Sequence, residues 1–552
     1  MRLEKFIYSI LETPFKSYMV YFITLVLFIL SLATFPTQII KAKMLPSKDS
    51  NTFSIYVDLK DGSSINQTKE VTQCISQHLQ KNKNITNISA FLGEGQPLDF
   101  AALVKQSALK DKESQAEMIV NILKQEDRDI TSYNLVSKLR DEVQKNCSSL
   151  YDANIKFIEL PAGPPVLASI VTEIYGGESF QSRRDFALKI AQILKNQTTL
   201  VDIDILADKD FVMYELELDN SKAIMSSVDL EQIKNILFLA FEGMKVSVIN
   251  QSNAQNQIPI FLRLDDSRLL QNSSVDNLKA KLQSLKVINT QGNTVSISEF
   301  VKIKELIKEP TITSKNLKLM INVIAETNKD SQIYPLLNSR DEMIKTLGEN
   351  YEVIKTNMLN LSFIDKNTNE KFDLVFDGEL KVTIDTFIDL GGAFIIALVL
   401  IFFLMVMYYK SFAISGGIVL SSFISIIGVI FAHVIMDVIT ADTFYLTATS
   451  LIGFIGLIGI NSRNSTLIID FSKLLVEEKH LSINEAIAKA TATRSKPIIL
   501  TVLTMVFASA LIANDAVFGG LGVALIGGTL ISYVVSMFFV PVIVKNQLKK
   551  IL

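Results

Sequence analysis

Six apolar runs, one near the start and five crowded at the end, constrain this 552-residue chain more than any other feature. They cover roughly residues 19–35, 390–409, 412–436, 445–475, 497–512 and 521–544. A helix needs about 20 apolar residues to cross a bilayer, and each run meets or approaches that length. Residues 36–389 are mostly polar. Charge sets the orientation. Arg2, Lys5 and Lys16, then Lys410, Lys473, Lys479, Lys489, Arg494, Lys496, Lys545, Lys549 and Lys550, all fall on one side of such a membrane. The short loops on the other side, 437–442 and 514–518, hold no Lys or Arg. Both termini are therefore expected in the cytoplasm and the large polar stretch outside, in the periplasm of a two-membrane bacterium. No small-x-small cleavage site follows the first run, which reads as an uncleaved span.

The exported stretch reads as folded α+β structure. Residues 53–59 alternate as a strand does, Asp61-Gly62 supplies a turn, a helical pattern covers 64–80, and a second strand-like run covers 85–91. The same order recurs at 169–175, 182–196 and 200–205, which predicts two related βαβ-like subdomains. Breakers at 161–165, Pro161 among them, separate the two. A third unit follows from about 220 to 309, with a helix at 230–241 and a strand at 258–264. Between the fourth and fifth runs, Ser482 and Glu485 form a capping-box pattern, predicting a short amphipathic cytoplasmic helix over 482–493.

One residue breaks the apolar logic. Arg463 sits inside the fourth run, in Asn461-Ser462-Arg463-Asn464-Ser465-Thr466, after ten apolar or small residues. A cation at bilayer depth costs about 2.5–3.5 kcal/mol on insertion scales, so it needs an acidic partner or a wet path. Apart from Asp470, near the cytoplasmic end of the fourth run, no Asp or Glu lies in any run. The partner carboxylate is expected on another polypeptide.

Together these features resemble the resistance–nodulation–division (RND) family of proton-driven exporters, whose members consist of two repeats of one span, a large periplasmic loop and five spans. This chain is similar to the second repeat over nearly its whole length. The stretch from Gly459 through Arg463 to Asp470 resembles that repeat's fourth-span motif, where lysine is commoner than Arg463. Arg494-Ser495-Lys496-Pro497 and Thr501 resemble the start of the fifth span, and Gly163-Pro164-Pro165 resembles the junction of two porter subdomains.

The resemblance implies a helical membrane domain of six spans (1+5) with a periplasmic loop of βαβ porter-type subdomains. Its divisions are 1–36, an N-terminal helix and first span; 37–165 and 166–219, porter subdomains; 220–314, a docking-type subdomain; 315–385, a return segment; and 386–552, five spans. It implies a half-subunit of a proton antiporter exporting hydrophobic or amphiphilic compounds. Arg463, Asn464, Arg494, Thr501 and Asp470 would form the basic side of the proton relay. Arginine does not deprotonate in practice, so Arg463 would act as a fixed cation that pairs with a carboxylate and releases it on protonation. The implied partners are a separate first-repeat chain carrying membrane aspartates, a periplasmic adaptor and an outer-membrane channel, in a trimer of heterodimers at the inner membrane. The alternatives are a six-span subunit for lipid or protein export, or an inactive half-transporter.

Other classes recede on composition. With 54 basic and 57 acidic residues there is no excess positive charge for nucleic acid. His78, His433 and His480 are scattered, which sets aside a catalytic or zinc-binding cluster of histidines, and no cofactor is implied. Cys74 and Cys147 both lie in the exported stretch, where a bond and two free thiols stay open. The exported methionines, Met358 among them, form no pair at ligand spacing, which leans away from heavy metals as substrate. Paired glycines at 391–392, 416–417 and 527–528 suggest close helix packing.

Overall fold

The computed structural model describes residues 2–548 except 161, 255–256, 265–274, 329, 358 and 441. Pro161, Met358, Lys549 and Lys550 lie outside the described residues. An amphipathic helix α1 (Arg2–Glu12) leads into apolar α2 (Pro14–Ala33). Then come β1 (Thr52–Asp58), α3 (Ile65–Leu79), β2 (Ile85–Leu92), α4 (Phe100–Val104), β3 (Gln115–Ile122), α5 (Ser132–Cys147) and β4 (Asn154–Ile158). Apolar alternation buries Phe53, Ile55 and Val57 of β1 against Val71, Ile75 and Leu79 of α3 and Leu135, Leu139 and Val143 of α5. The strand order is β2-β3-β1-β4, all neighbours antiparallel. The expected strand–helix–strand unit is thus a split one: β3, far along the chain, lies between β1 and β2. A disulfide joins Cys74 of α3 to Cys147 of α5.

The second sheet repeats this plan. Strands β5 (Ile170–Gly176) and β6 (Leu200–Leu206) flank α6 (Phe180–Lys195) in sequence, yet a later strand separates them in space. Before that strand the chain builds a second compact unit, residues 208–311. It contains β7 (Val212–Leu218), α7 (Asn220–Met225), α8 (Leu230–Phe241), β8 (Met244–Ile249), β9 (Ile258–Leu262), α9 (Val275–Ser284), β10 (Lys286–Ile288), β11 (Thr294–Ser296) and β12 (Val301–Ile307). Antiparallel pairing of β7 with β12 draws the start of this unit back to 208, ahead of the 220 read from sequence. Its core is Ala223, Ile233, Leu282, Val287, Ile297 and Phe300.

The first unit resumes with β13 (Thr313–Lys315), β14 (Lys318–Thr327), α10 (Ile333–Leu347), β15 (Tyr351–Lys355), β16 (Leu361–Asp365) and β17 (Lys371–Asp377). Strand β14 pairs with both β5 and β6, and β17 takes the other side of β5, giving the local order β6-β14-β5-β17. This matches the first sheet. Phe186 of α6 stacks on Phe372 at 4.4 Å inside its core.

The remainder is helical: α11 (Glu379–Tyr409), α12 (Phe412–Ile424), α13 (Ile426–Ile439), α14 (Ala448–Lys479), α15 (Ile483–Ile512), α16 (Gly519–Val534) and α17 (Val540–Leu548). Six helical stretches among the described residues are long and apolar enough to cross a membrane: α2, α11, α12–α13, α14, α15 and α16–α17. Three differ from the sequence reading. Helix α11 starts at Glu379, before the apolar run, because β17 hands directly into it through Gly378. The run at 412–436 is two helices broken at Ser425, where the hydroxyls of Ser421, Ser422 and Ser425 bond to carbonyls of the preceding turn. The separate helix expected at 482–493 does not form. Helix α15 continues through Pro497, with Ile487 and Ala490 packed before the proline and Ile498 and Val502 after it.

Helix α16 packs against α13, α14 and α15. A Cβ built on Gly428 would lie 2.2 Å from the Gly527 carbonyl oxygen, so only glycine lets α13 and α16 approach this closely. Of the glycine pairs singled out in sequence, Gly527 and Gly528 are at such contacts, whereas Gly391 and Gly392 face open space.

Candidate functional site

Helix α14 has two different faces around its polar hexad. Asn461, Ser462, Asn464 and Ser465 point inward and are buried. Asn461 donates to the Ser421 carbonyl, and its Oδ1 accepts from Ser532 at 2.9 Å and Ser536 at 3.4 Å. Ser421 meets Ser465 at 3.0 Å and Ser422 meets Ser462 at 3.2 Å. This polar seam ties α12, α14 and α16 together. The seam was not read from the sequence, although Ser421, Ser422 and Ser425 inside an apolar run were its visible signal.

The other face carries Ile452, Gly456, Gly459, Arg463 and Leu467, all exposed, at spacings of three and four residues. Nothing lies within 4 Å of a Cβ built on Gly456 or Gly459, so a shallow open groove leads to Arg463. Arg463 makes no hydrogen bond or ion pair among the described residues. Asp470 shares its face but lies seven residues on, about 10 Å along the axis. It is already occupied, accepting from Tyr409 at 2.8 Å and Tyr408 at 3.3 Å of α11.

The other expected relay residues are dispersed. Asn464 is buried with its Nδ2 lacking a partner. The Arg494 guanidinium lies over the Phe471 ring at 4.8 Å, with its Nε unbonded. Thr501 donates to the Pro497 carbonyl one turn back. These residues occupy α14 and α15 without being bonded to one another.

Outside the apolar bundle, polar contacts join its helices to the first sheet. Asp442, in the loop between α13 and α14, accepts from Tyr133 at 2.8 Å and Asn134 at 2.9 Å at the start of α5. Further along α5, Arg140 pairs with Asp202 of β6 at 3.2 Å, both side chains almost fully buried. Lys156 of β4 bridges Asp58 and Asp204, and Lys105 pairs with Glu326 of β14 at 3.2 Å. Cations from the first sheet's side thus meet carboxylates of the second. The cleft between them is lined by Lys43, Lys105, Arg140, Glu159, Glu326 and Glu379. Arg140 Nε and Nη1 have no partner among the described residues.

Burial pushes the Asp202 carboxyl up to about 6, although Arg140 and the Phe157 amide pull it down. Burial also raises Glu159. For Glu326, burial is outweighed by Lys105 and Ser169, so its carboxyl is lowered. The sign for Asp202 follows directly. The unfolded carboxyl binds its proton near 3.9 and the folded one near 6, so the folded state holds more protons between them. Stability from this group is full below about 4 and falls as pH rises through about 6, by at most about 3 kcal/mol. Backbone amides of β4 and β6 should therefore exchange more slowly at pH 5 than at pH 7, after correction for intrinsic rates. Asp202→Asn should remove that difference. Equal protection at both pH values in the unsubstituted protein would refute this account.

A family model described as AcrB/AcrD/AcrF matches residues 2–545. The chain belongs to this family. Among relatives of this chain, the toluene efflux pump membrane transporter TtgB of Pseudomonas putida is 23% identical over 98% of this chain and 47% of its own length. The swarming motility protein SwrC of Bacillus subtilis (strain 168) is 21% identical over 92% of this chain and 44% of its own. Multidrug export protein AcrF of Escherichia coli (strain K12) is 21% identical over 91% and 45%. The chain spans about half the length of the curated relatives it matches. A crystal structure of a heavy metal efflux pump superposes with a TM-score of 0.71 at 15% identity, covering 98% of this chain and 51% of the pump. That likeness speaks for the fold.

Proposed function

We propose that this AcrB/AcrD/AcrF-family chain supplies the second-repeat half of a proton-driven efflux pump for hydrophobic or amphiphilic compounds. The observation that carries the reading is Arg463, an unpaired cation exposed on the face of an apolar bundle beside an open glycine groove. A charge placed so costs several kcal/mol in lipid unless a carboxylate covers it. In this reading a first-repeat unit on a separate chain packs its acidic helix against Ile452, Gly456, Gly459, Arg463 and Leu467. The ionised carboxylate pairs with Arg463; a proton from the periplasm neutralises it and frees the helix to shift. Asn464, Arg494, Thr501 and Asp470 line the route by which that proton leaves toward the cytoplasm.

The two repeated sheets act as periplasmic porter subdomains and residues 208–311 as the docking-type subdomain, with both termini cytoplasmic in the inner membrane. An adaptor and an outer-membrane channel complete a trimer of heterodimers. The Asp442 contacts with α5 support mechanical coupling, since motion of α14 pulls on the helix that carries Arg140.

The test is a photo-crosslinking side chain at Gly459, followed by affinity purification from native membranes. The expected product is a crosslink to a helix of a second chain bearing membrane carboxylates. A crosslink within one longer polypeptide would keep the pump and refute the separate chain. Crosslinks to lipid alone, with the chain purifying by itself, would end the proton-pump reading.

A further inference from the structure

Spacing in the sequence sets aside a cluster of metal ligands, yet the fold builds one on the outer helices of the first sheet. Cys74 and His78 stand one turn apart on α3, and Cys147 closes α5. The two sulfurs and a His78 ring nitrogen all lie within 4.8 Å of one another. His78 Nδ1 is 3.2 Å from Glu142 Oε1 of α5. Among the described residues this is the one group of three His, Cys, Asp or Glu side chains so gathered. Cys147 is buried, whereas Cys74 and His78 are half-exposed and open to solvent ions.

The disulfide accounts for the two sulfurs but not for an imidazole beside them with its own carboxylate. A half-exposed His–Glu pair gains little stability by itself. Two sulfurs, one imidazole and a carboxylate holding that imidazole through Nδ1 make up the donor set and outer support of a zinc site. Ligand atoms around tetrahedral zinc sit about 3.5–3.8 Å apart, within reach of side-chain rotation from this arrangement.

We propose that Cys74, His78 and Cys147 form a redox-gated site for a divalent cation of the zinc class, independent of the membrane reading above. In the oxidised state the sulfurs are bonded to each other and the site is closed. A thiol reductant supplies two electrons and two protons, the S–S bond breaks, and the reductant leaves as its own disulfide. The cation then displaces both thiol protons to solvent and forms two metal–sulfur bonds. His78 Nε2 takes a third position and water the fourth.

The full chain in detergent is reduced with a phosphine, freed of reductant without oxygen, and titrated with Zn2+, with Co2+ as an optical probe. The reduced protein should bind one equivalent and the oxidised protein none at the same free Zn2+. Bound Co2+ should show thiolate-to-metal charge-transfer absorption. His78→Ala keeps the disulfide and should weaken Zn2+ binding at least about tenfold, and Glu142→Gln about tenfold. Failure of the reduced chain to bind Zn2+ would overturn the proposal. So would binding in which His78→Ala or Cys147→Ser matches the unsubstituted chain, with circular dichroism showing each variant folded.

Discussion

In the proposed pump, Arg463→Ala should abolish proton-driven export, by about 100-fold or more, while leaving the chain folded and inserted. The retention of folding follows from what Arg463 does not touch. Its side chain has no partner among the described residues, and the buried seam of Asn461, Ser421, Ser462, Ser465 and Ser532 lies on the other face. Truncation therefore opens no cavity in the bundle. The loss of export follows from the carboxylate that the proposed site requires. Removing one member of a buried ion pair costs about 3–5 kcal/mol, because the remaining charge has no counter-ion. That carboxylate would then stay protonated across the working pH range and could not cycle. Arg463→Lys keeps the charge and should retain part of the transport. Substrate accumulation in energised cells, with and without collapse of the proton gradient, checks both variants. Export by Arg463→Ala at the unsubstituted rate would remove this residue from the mechanism.

What the sequence revealed and what it hid divide along one physical line. Apolar runs are local, so the six membrane-length stretches stand out before any folding is considered. Arg463 stands out for the same reason: a charge inside such a run has a cost that its neighbours alone make visible. Pairing is not local. The helical pattern at 64–80 and the strand patterns beside it were legible, but nothing in them places β3 between β1 and β2, a partner more than twenty residues further on. Helix α11 was read as starting late because its first turns, from Glu379 to Asp389, lack the apolar signature. Serines in apolar helices look like small filler until a second helix supplies their partners, which is why the Asn461 seam went unread. The Cys74, His78 and Cys147 group was hidden likewise, since α3 and α5 meet only in three dimensions. Arg140 is the sharpest case: in sequence it is one of 54 basic residues, and only the fold sets it against Asp202.

Arg140→Met should destabilise the two-sheet α+β region by about 3–5 kcal/mol at pH 7. Arg140 is 3% exposed and is held between Asp202 at 3.2 Å and the Phe157 carbonyl at 3.1 Å. Methionine fills much of the same volume, so the cost comes from the Asp202 carboxylate left behind and not from a void. Asp202 still accepts from the Phe157 amide at 3.1 Å and from Gln144 Nε2 at 3.5 Å, but these two neutral donors do not compensate a buried charge. Its only escape is to take up a proton. The defect should therefore shrink as pH falls toward 5, the direction set by the already raised carboxyl. Asp202→Asn in the same chain should restore much of the loss at pH 7, so the double-mutant cycle should give a coupling above about 1 kcal/mol. Denaturant unfolding at pH 5 and 7 measures all three variants. Because α5 also carries Tyr133 and Asn134 against Asp442, the same substitution should loosen the tie between the two sheets while leaving α5 anchored to the bundle. Exchange protection should then fall in β4 and β6 but persist in the first turn of α5. Uniform loss across both sheets would instead make Arg140 a general support of the fold with no particular role at the boundary.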